Sequence, residues 1–290
     1  MPGPLPGGEA YRARSLGREM SVAAISAGGK RSGLFLLPTA TLWQREIVRF
    51  YRQRNRIIGA LLSPLVFWFV IGSGIGPSFR VGSTPNGVSY LEYFYPGTLI
   101  LIMLFTAIFS TISIIEDRRE GFLQSVLVAP ISPGSIVCGK ILGGTTLALL
   151  QGLIFLLLAP FVGIHITPER ILVCLGTLFV VGFGLTGLGF LVAWPMESTQ
   201  GFHAIMNVFL IPLWLMSGAL FPATNPHSWI YWAVHLNPVT YGVAAVRRAL
   251  YAGDPGVLHL PSFAVSLGLS AAFGLVMYAV AYLLVQRKSS

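Results

Sequence analysis

The sequence predicts an all-α integral membrane protein. It has six transmembrane helices, an N-terminal interfacial amphipathic helix, a short cytoplasmic helix after the second span and an outer-leaflet helical hairpin before the last. Three observations predict this. The 290 residues are 54% hydrophobic and only 10% charged, against about 25% charged in a soluble domain, and mean hydropathy is +0.74. Six runs approach the roughly 20 apolar residues that cross a bilayer. None of the six carries Asp, Glu or Arg in its apolar middle, where a charge costs a few kcal/mol or more. The runs do not alternate apolar with polar residues, which excludes barrel strands.

From the N-terminus, residues 1–40 read as a mobile cytoplasmic tail and 41–288 as the membrane domain. The first 31 residues are rich in Gly, Ser and Arg, and no apolar core of a cleavable signal peptide stands near the start. Thr41 to Arg56, TLWQREIVRFYRQRNR, places Leu42, Trp43, Ile47, Val48, Phe50 and Tyr51 at helical spacing. Arginines, among them Arg45, Arg49 and Arg52, occupy much of the rest, the pattern of an interfacial helix. Such a helix anchors the first span on anionic headgroups, and it can also touch a cytoplasmic partner.

The spans follow at about Ile57–Ile75, Pro96–Ile115, Gly134–Ile164, Ile171–Ala193, Ala204–Pro222 and Pro261–Val285. Ten of the nineteen basic residues precede Ile57. With the N-terminus in the cytoplasm, the inside holds fifteen Lys and Arg and the outside four, so the positive-inside rule places both termini in the cytoplasm. Net charge is +9. Because the cations flank spans, they suit lipid headgroups, and no soluble module remains to bind nucleic acid. Cys138 and Cys174 fall in apolar runs and read as small hydrophobes, not as a disulfide.

Between spans two and three, EDRREGFLQSVLVAPISPGS runs from Glu116 to Ser135. Phe122, Leu123, Val126 and Leu127 recur at helical spacing until Pro130 and Pro133 stop the helix. Nothing within the loop covers that apolar face. It lies back on the spans or enters a groove on a partner protein, and the second reading is preferred. Before the last span, SWIYWAVHLNPVTYGVAAVRRALY is too polar to span twice and too apolar for a free loop. It reads as a hairpin broken at Asn237-Pro238, with Trp229, Tyr231, Trp232, Tyr241 and Tyr251 at headgroup level.

Two glycine motifs mislead. Gly182, Gly184 and Gly187 match G-x-G-x-x-G but lie inside one apolar run, where small residues permit close helix packing. Gly134 to Gly139-Lys140 nearly matches a phosphate-binding loop, yet Ile141 stands where Ser or Thr would ligate magnesium, and no strand precedes it. Lys140 is expected to snorkel to the headgroups. The five histidines sit in loops or at span ends, no H-e-x-x-H-type or G-x-S-x-G signature occurs, and the spans lack the acids of a proton relay. Gln151, Thr145, Thr146, Ser217 and Asn207 are the modest intramembrane polar residues, expected as interhelical hydrogen bonds.

Glu116-Asp-Arg-Arg-Glu120-Gly121, then Leu127-Val-Ala-Pro130-Ile-Ser132, Gly139-Lys140, and Leu236-Asn-Pro-Val-Thr-Tyr241 followed by Arg247-Arg248 together resemble the ABC-2 type transporter permeases. The resemblance covers roughly residues 40 to 288 and is strongest to drug-resistance and nodulation-factor exporter subunits. Those members usually carry Gly-Thr-Leu-Glu where this chain has Gly121-Phe-Leu-Gln124. The resemblance implies a permease subunit of an ATP-binding cassette exporter in the bacterial cytoplasmic (inner) membrane. It implies a separate cytoplasmic ATPase carrying ATP and Mg, a second permease copy or paralogue, surrounding lipid, and no cofactor on this chain. It makes Glu116 to Ser132 the coupling helix, with Phe122, Leu123, Val126 and Leu127 in the ATPase groove, Arg118, Arg119 and Glu120 setting register by charge, and Glu116 and Gly121 among the coupling residues. It makes Thr41 to Arg56 the connecting helix, and it places Asn237, Pro238 and Tyr241 at an outer gate. The other reading of the sequence is a self-contained secondary carrier or membrane enzyme.

Overall fold

The computed structural model describes residues 33–52, 54–75, 90–220, 229–253, 257 and 259–289. Residues 1–32 of the expected tail lie outside them, as do residues 76–89 and 221–228. All regular structure among the described residues is helical: α1 Gly33–Arg52, α2 Arg54–Ile75, α3 Tyr90–Ser110, α4 Ile112–Arg119, α5 Phe122–Val128, α6 Pro133–Leu156, α7 Pro168–Ala193, α8 Thr199–Leu215, α9 Trp229–Leu236, α10 Pro238–Leu250 and α11 Phe263–Ser289. Four segments are long and apolar enough to cross a membrane: α3 with α4 (Tyr90–Arg119), α6, α7 and α11.

The α3–α4 segment forms the axis of the bundle. Its most apolar stretch is 89% buried, against 22% for α11, as a helix hydrophobic all round requires. Helices α2, α6, α7, α8 and α10 pack around it. Where α3 meets α4, the hydroxyls of Ser110 and Thr111 donate to the carbonyls of Ala107 and Ile108, each at 2.6 Å. These back-bonds divert the ladder into a tight turn at Thr111.

Close helix approach rests on small residues. A Cβ on Gly184 would stand 2.8 Å from a ring carbon of Phe273, and one on Gly187 would stand 2.8 Å from Cβ of Met277, both on α11. The G-x-G-x-x-G of α7 is therefore a packing surface, as its place in an apolar run predicts. Three of the five polar residues make the interhelical bonds expected of them: Thr106 donates to Gln151, Trp43 Nε1 donates to Thr146 at 3.0 Å, and Thr145 bonds Thr186 across α6 and α7 at 3.4 Å. The other two do not: Ser217 bonds back to Trp214 on its own helix end, and Asn207 is exposed.

Some boundaries differ from expectation. Helix α1 begins at Gly33, inside the expected tail, and carries Pro38 within it. Helix α6 ends at Leu156, not near Ile164; a 3₁₀ turn over Ala159–Val162 follows, closed by Gly163 at φ 90°. Pro160 has no N–H with which to continue the helix. Helix α8 ends at Leu215, one turn beyond Pro212. Its buried Trp214 donates to the carbonyl of Gly97 at 2.8 Å.

Candidate functional site

The chemistry concentrates where α1, α4, α5 and α6 meet. Helix α1 packs along the first half of α6, and the glycines of α6 permit this. A Cβ on Gly139 would stand 2.8 Å from Cβ of Leu42, and one on Gly143 would stand 2.6 Å from Cβ of Glu46. The near-match to a phosphate loop is thus helical from Pro133 onward and presents its glycines to α1. Substituting leucine at Gly143 is expected to displace α1 and lower the unfolding temperature in detergent by several degrees, whereas leucine at Gly176, which has open space around it, is expected to leave it unchanged.

The face that α1 turns to α6 holds Thr39, Leu42 and Glu46, all buried. Glu46 meets Lys140 at 2.5 Å. Lys140 also pairs with Asp117 of α4 and lies 3.4 Å from the hydroxyl of Ser113. Asp117 is wholly buried and receives both arms of Arg45, at 2.8 and 2.6 Å, together with Arg49 at 2.7 Å. Arg49 reaches on to Glu116 at 2.8 Å and Glu120 at 3.3 Å. Burial works against the charge of Arg45, but Asp117 and Glu46 outweigh it and hold the guanidinium above its ordinary value. Bidentate guanidinium–carboxylate contact of this kind fixes orientation as well as charge. Four acids and three bases from three helices thus interlock in one body.

The cluster corrects two expectations. Lys140 does not snorkel outward; it is 5% exposed and paired on two sides. Arg45 and Arg49 do not spread along a lipid-facing surface but turn onto the acids of α4. Arg52 remains exposed and Trp43 half-exposed. Beside the cluster, an open groove of about 560 Å³ runs between Thr41, Gln44, Val48 and Arg52 of α1 and Glu120.

The short helix α5 follows Gly121, whose φ of 77° needs a glycine. Its faces are opposite to those expected. Leu123 is 3% exposed and sits in the chain's own core. Phe122, Val126 and Leu127 pack against that core, and Phe122 lies under Arg45, whose guanidinium carbon is 3.7 Å from the ring centre. The outward residues are Arg119, Glu120, Gln124, Ser125 and Val128, the last 86% exposed. The apolar stripe is covered by α1 and the bundle, which were not visible from the loop alone. Arg118 is also satisfied within the chain: it donates to the carbonyls of Met196, at 3.0 Å, and Trp194 just beyond the C-terminus of α7, where a cation complements the helix dipole.

At the opposite end of α3, helices α9 and α10 break at Asn237, as the Asn-Pro pair predicts. The Asn237 carbonyl oxygen accepts from Val239 N–H at 2.9 Å, and its amide donates to Leu213 of α8 at 2.5 Å. Pro238 opens α10 at its first turn, and Tyr241 donates to the carbonyl of His235 at 2.8 Å. Trp229 and Trp232 are exposed, but α10 is not superficial; it packs against α3, α7 and α11. Asn237→Ala is expected to cost about 1–2 kcal/mol through the lost cap and cross-helix bond, measured as a fall in unfolding midpoint.

Glu46, Asp117 and Lys140 are the site residues that pattern reading missed. The available signal was Glu46, which falls four residues after Leu42 on the apolar stripe. Among the described residues, no group of three or more His, Cys, Asp or Glu could hold a metal ion.

Comparison with known proteins finds relatives along most of the chain. The chain is 27% identical over 263 residues to the transport permease named ycf38 of Cyanophora paradoxa, covering 88% of this chain and 90% of the relative. It is 26% identical over 233 residues to nodulation protein J of Sinorhizobium fredii, covering 79% and 85%. It is 24% identical over 258 residues to the inner membrane transport permease YadH of Escherichia coli, covering 88% and 96%. The profile of the ABC-2 type transporter family matches residues 39–251, a span that takes in the charged cluster, α5 and the α9–α10 break, and the chain therefore belongs to the ABC-2 type transporter membrane family.

Proposed function

We propose that this chain is the membrane subunit of an ATP-driven exporter, crossing the membrane six times with both termini in the cytoplasm. Four spans are the long apolar segments; α2 and α8 supply the other two. ATP and Mg belong to a separate cytoplasmic ATPase that docks beneath α5. The end carrying Asp117 faces the cytoplasm, in keeping with the cations grouped there. Apolar residues left on the outside of α2, α8 and α11, such as Phe69, Phe209 and Leu275, meet lipid or a second permease copy. The cargo is an amphipathic, drug-like, lipid-linked or glycan molecule.

The observation that carries this reading is the tie between α5 and the bundle. Phe122 is clamped under Arg45, and Arg45 shares Asp117 with Lys140 of α6. A displacement of α5 by an ATPase would therefore move α1, α4 and α6 together, because a packed, ion-paired junction deforms as a unit. The docking contacts are the outward residues Gln124, Ser125 and Val128, with Arg119 and Glu120 at the rim.

The test is purification of the tagged chain from its own host in mild detergent, with mass spectrometry of what accompanies it. A roughly stoichiometric ATPase with a true phosphate loop is expected. Val128→Asp is expected to lose most of that ATPase while the chain keeps its unfolding temperature, since Val128 contributes little to the core. A stable complex without an ATPase would overturn the reading in favour of a self-contained carrier or enzyme.

A further inference from the structure

The two ends of the bundle treat their buried cations differently. At one end, Lys140 is 5% exposed and meets two carboxylates. At the other end Arg247, in the last turn of α10, is 7% exposed and has no carboxylate within 4 Å among the described residues. Its contacts are the carbonyl of Tyr93 at 3.3 Å and the face of the Tyr93 ring, 4.4 Å from the guanidinium carbon. Among the described residues its Nε–H is buried without an acceptor, and so is the hydroxyl of Tyr93. A desolvated guanidinium is costly unless a counter-charge answers it, and a buried donor without an acceptor adds to that cost. Here two unanswered donors stand side by side on contacting residues.

Two more arginines stand at this end. Arg170 is held by the carbonyls of His165, Leu250 and Ala252, and Arg248 holds those of Leu260 and Pro261. Backbone carbonyls thus hold both arginines at this end of the bundle. Burial, with Arg247 and Arg248 nearby, pushes the His259 imidazole below its ordinary value, the direction expected in a positive field.

We propose that Arg247 and Tyr93 form a binding site for one oxyanion of the phosphate class, carried by a lipid headgroup or by a solute at this end of the membrane domain. The planar guanidinium matches a phosphate in fork geometry, and the Nε–H and the phenol O–H supply the donors that lack acceptors among the described residues. The site stands apart from α5 and does not depend on ATPase docking.

The experiment uses the full chain in neutral detergent, with unfolding followed by intrinsic fluorescence. Sodium phosphate is compared with sodium chloride at matched ionic strength; phosphatidylglycerol is compared with phosphatidylcholine in mixed micelles. A saturable rise of about 2–4 °C is expected with phosphate, with phosphatidylglycerol, or with both. Tyr93→Phe, which keeps the ring and its packing, is expected to weaken apparent affinity about tenfold, and Arg247→Gln to abolish the rise. A rise with phosphatidylglycerol alone assigns the site to a lipid headgroup; a rise with phosphate assigns it to a solute phosphate. No rise with either probe, or an equal rise in both variants, overturns the proposal.

Discussion

Replacing Lys140 with methionine is expected to destabilise the protein by about 3–5 kcal/mol. The substitution nearly preserves the length of the side chain, so packing against Gly139 and α1 changes little. What changes is charge. Glu46, 5% exposed, loses its 2.5 Å partner and retains only Arg45, 3.7 Å away. Asp117 retains Arg45 and Arg49. The uncompensated group is therefore Glu46, and the double variant Glu46→Gln with Lys140→Met is expected to recover more than half the loss. The measurement is thermal unfolding in detergent for the single and double variants, read as a double-mutant cycle. If the two single substitutions were additive, the pair would not be a buried ion pair and the junction of α1 with α6 would rest on packing alone.

Leu123→Asp is expected to fail at folding, not at docking. Leu123 is in the core with Ile115 and Ile136 among the residues of the same cluster. Aspartate there removes buried methyl groups, worth about 2–5 kcal/mol for a leucine truncation, and adds a carboxyl without an arranged partner. Little folded protein should be extracted from membranes, with the remainder aggregating on size exclusion. Val128→Asp, on the same short helix but outward, should extract normally. This pair separates the two faces of α5. Normal extraction of Leu123→Asp with selective loss of the ATPase would instead show that Leu123 leaves the core when the partner arrives.

The six apolar runs are legible because transfer of a run into hydrocarbon is nearly a sum over its residues. Each of the six overlaps a helix, the third and fifth running past their helix ends at Leu156 and Leu215, and the breaks at Pro133 and Asn237 fall where local stereochemistry demands them. The resemblance to the transporter family was legible for a similar reason, since it is carried by short runs of sequence such as EDRREG and LNPVTY. The site itself was only half legible. Arg45, Arg49, Glu116 and Glu120 were named, but Glu46 and Asp117 were missed, the faces of α5 were reversed and Lys140 was sent to the headgroups. Both errors have one origin: a loop taken by itself offers nothing to cover Leu123, and a lysine taken by itself has no acid to meet.

The amino-acid sequence by itself determined that this chain is a helical membrane protein, where its helices break at Pro133 and Asn237, and which family it joins, because hydropathy, proline stereochemistry and short motifs act over a few neighbouring residues. Only the tertiary structure decided that Glu46, Asp117 and Lys140 meet although 71 and 94 residues separate Glu46 from the other two, that Leu123 faces inward and Val128 outward, and that Arg247 is left with a tyrosine in place of a carboxylate. These outcomes depend on which helix lies opposite, and in a bundle that is settled by close packing at residues such as Gly139 and Gly143.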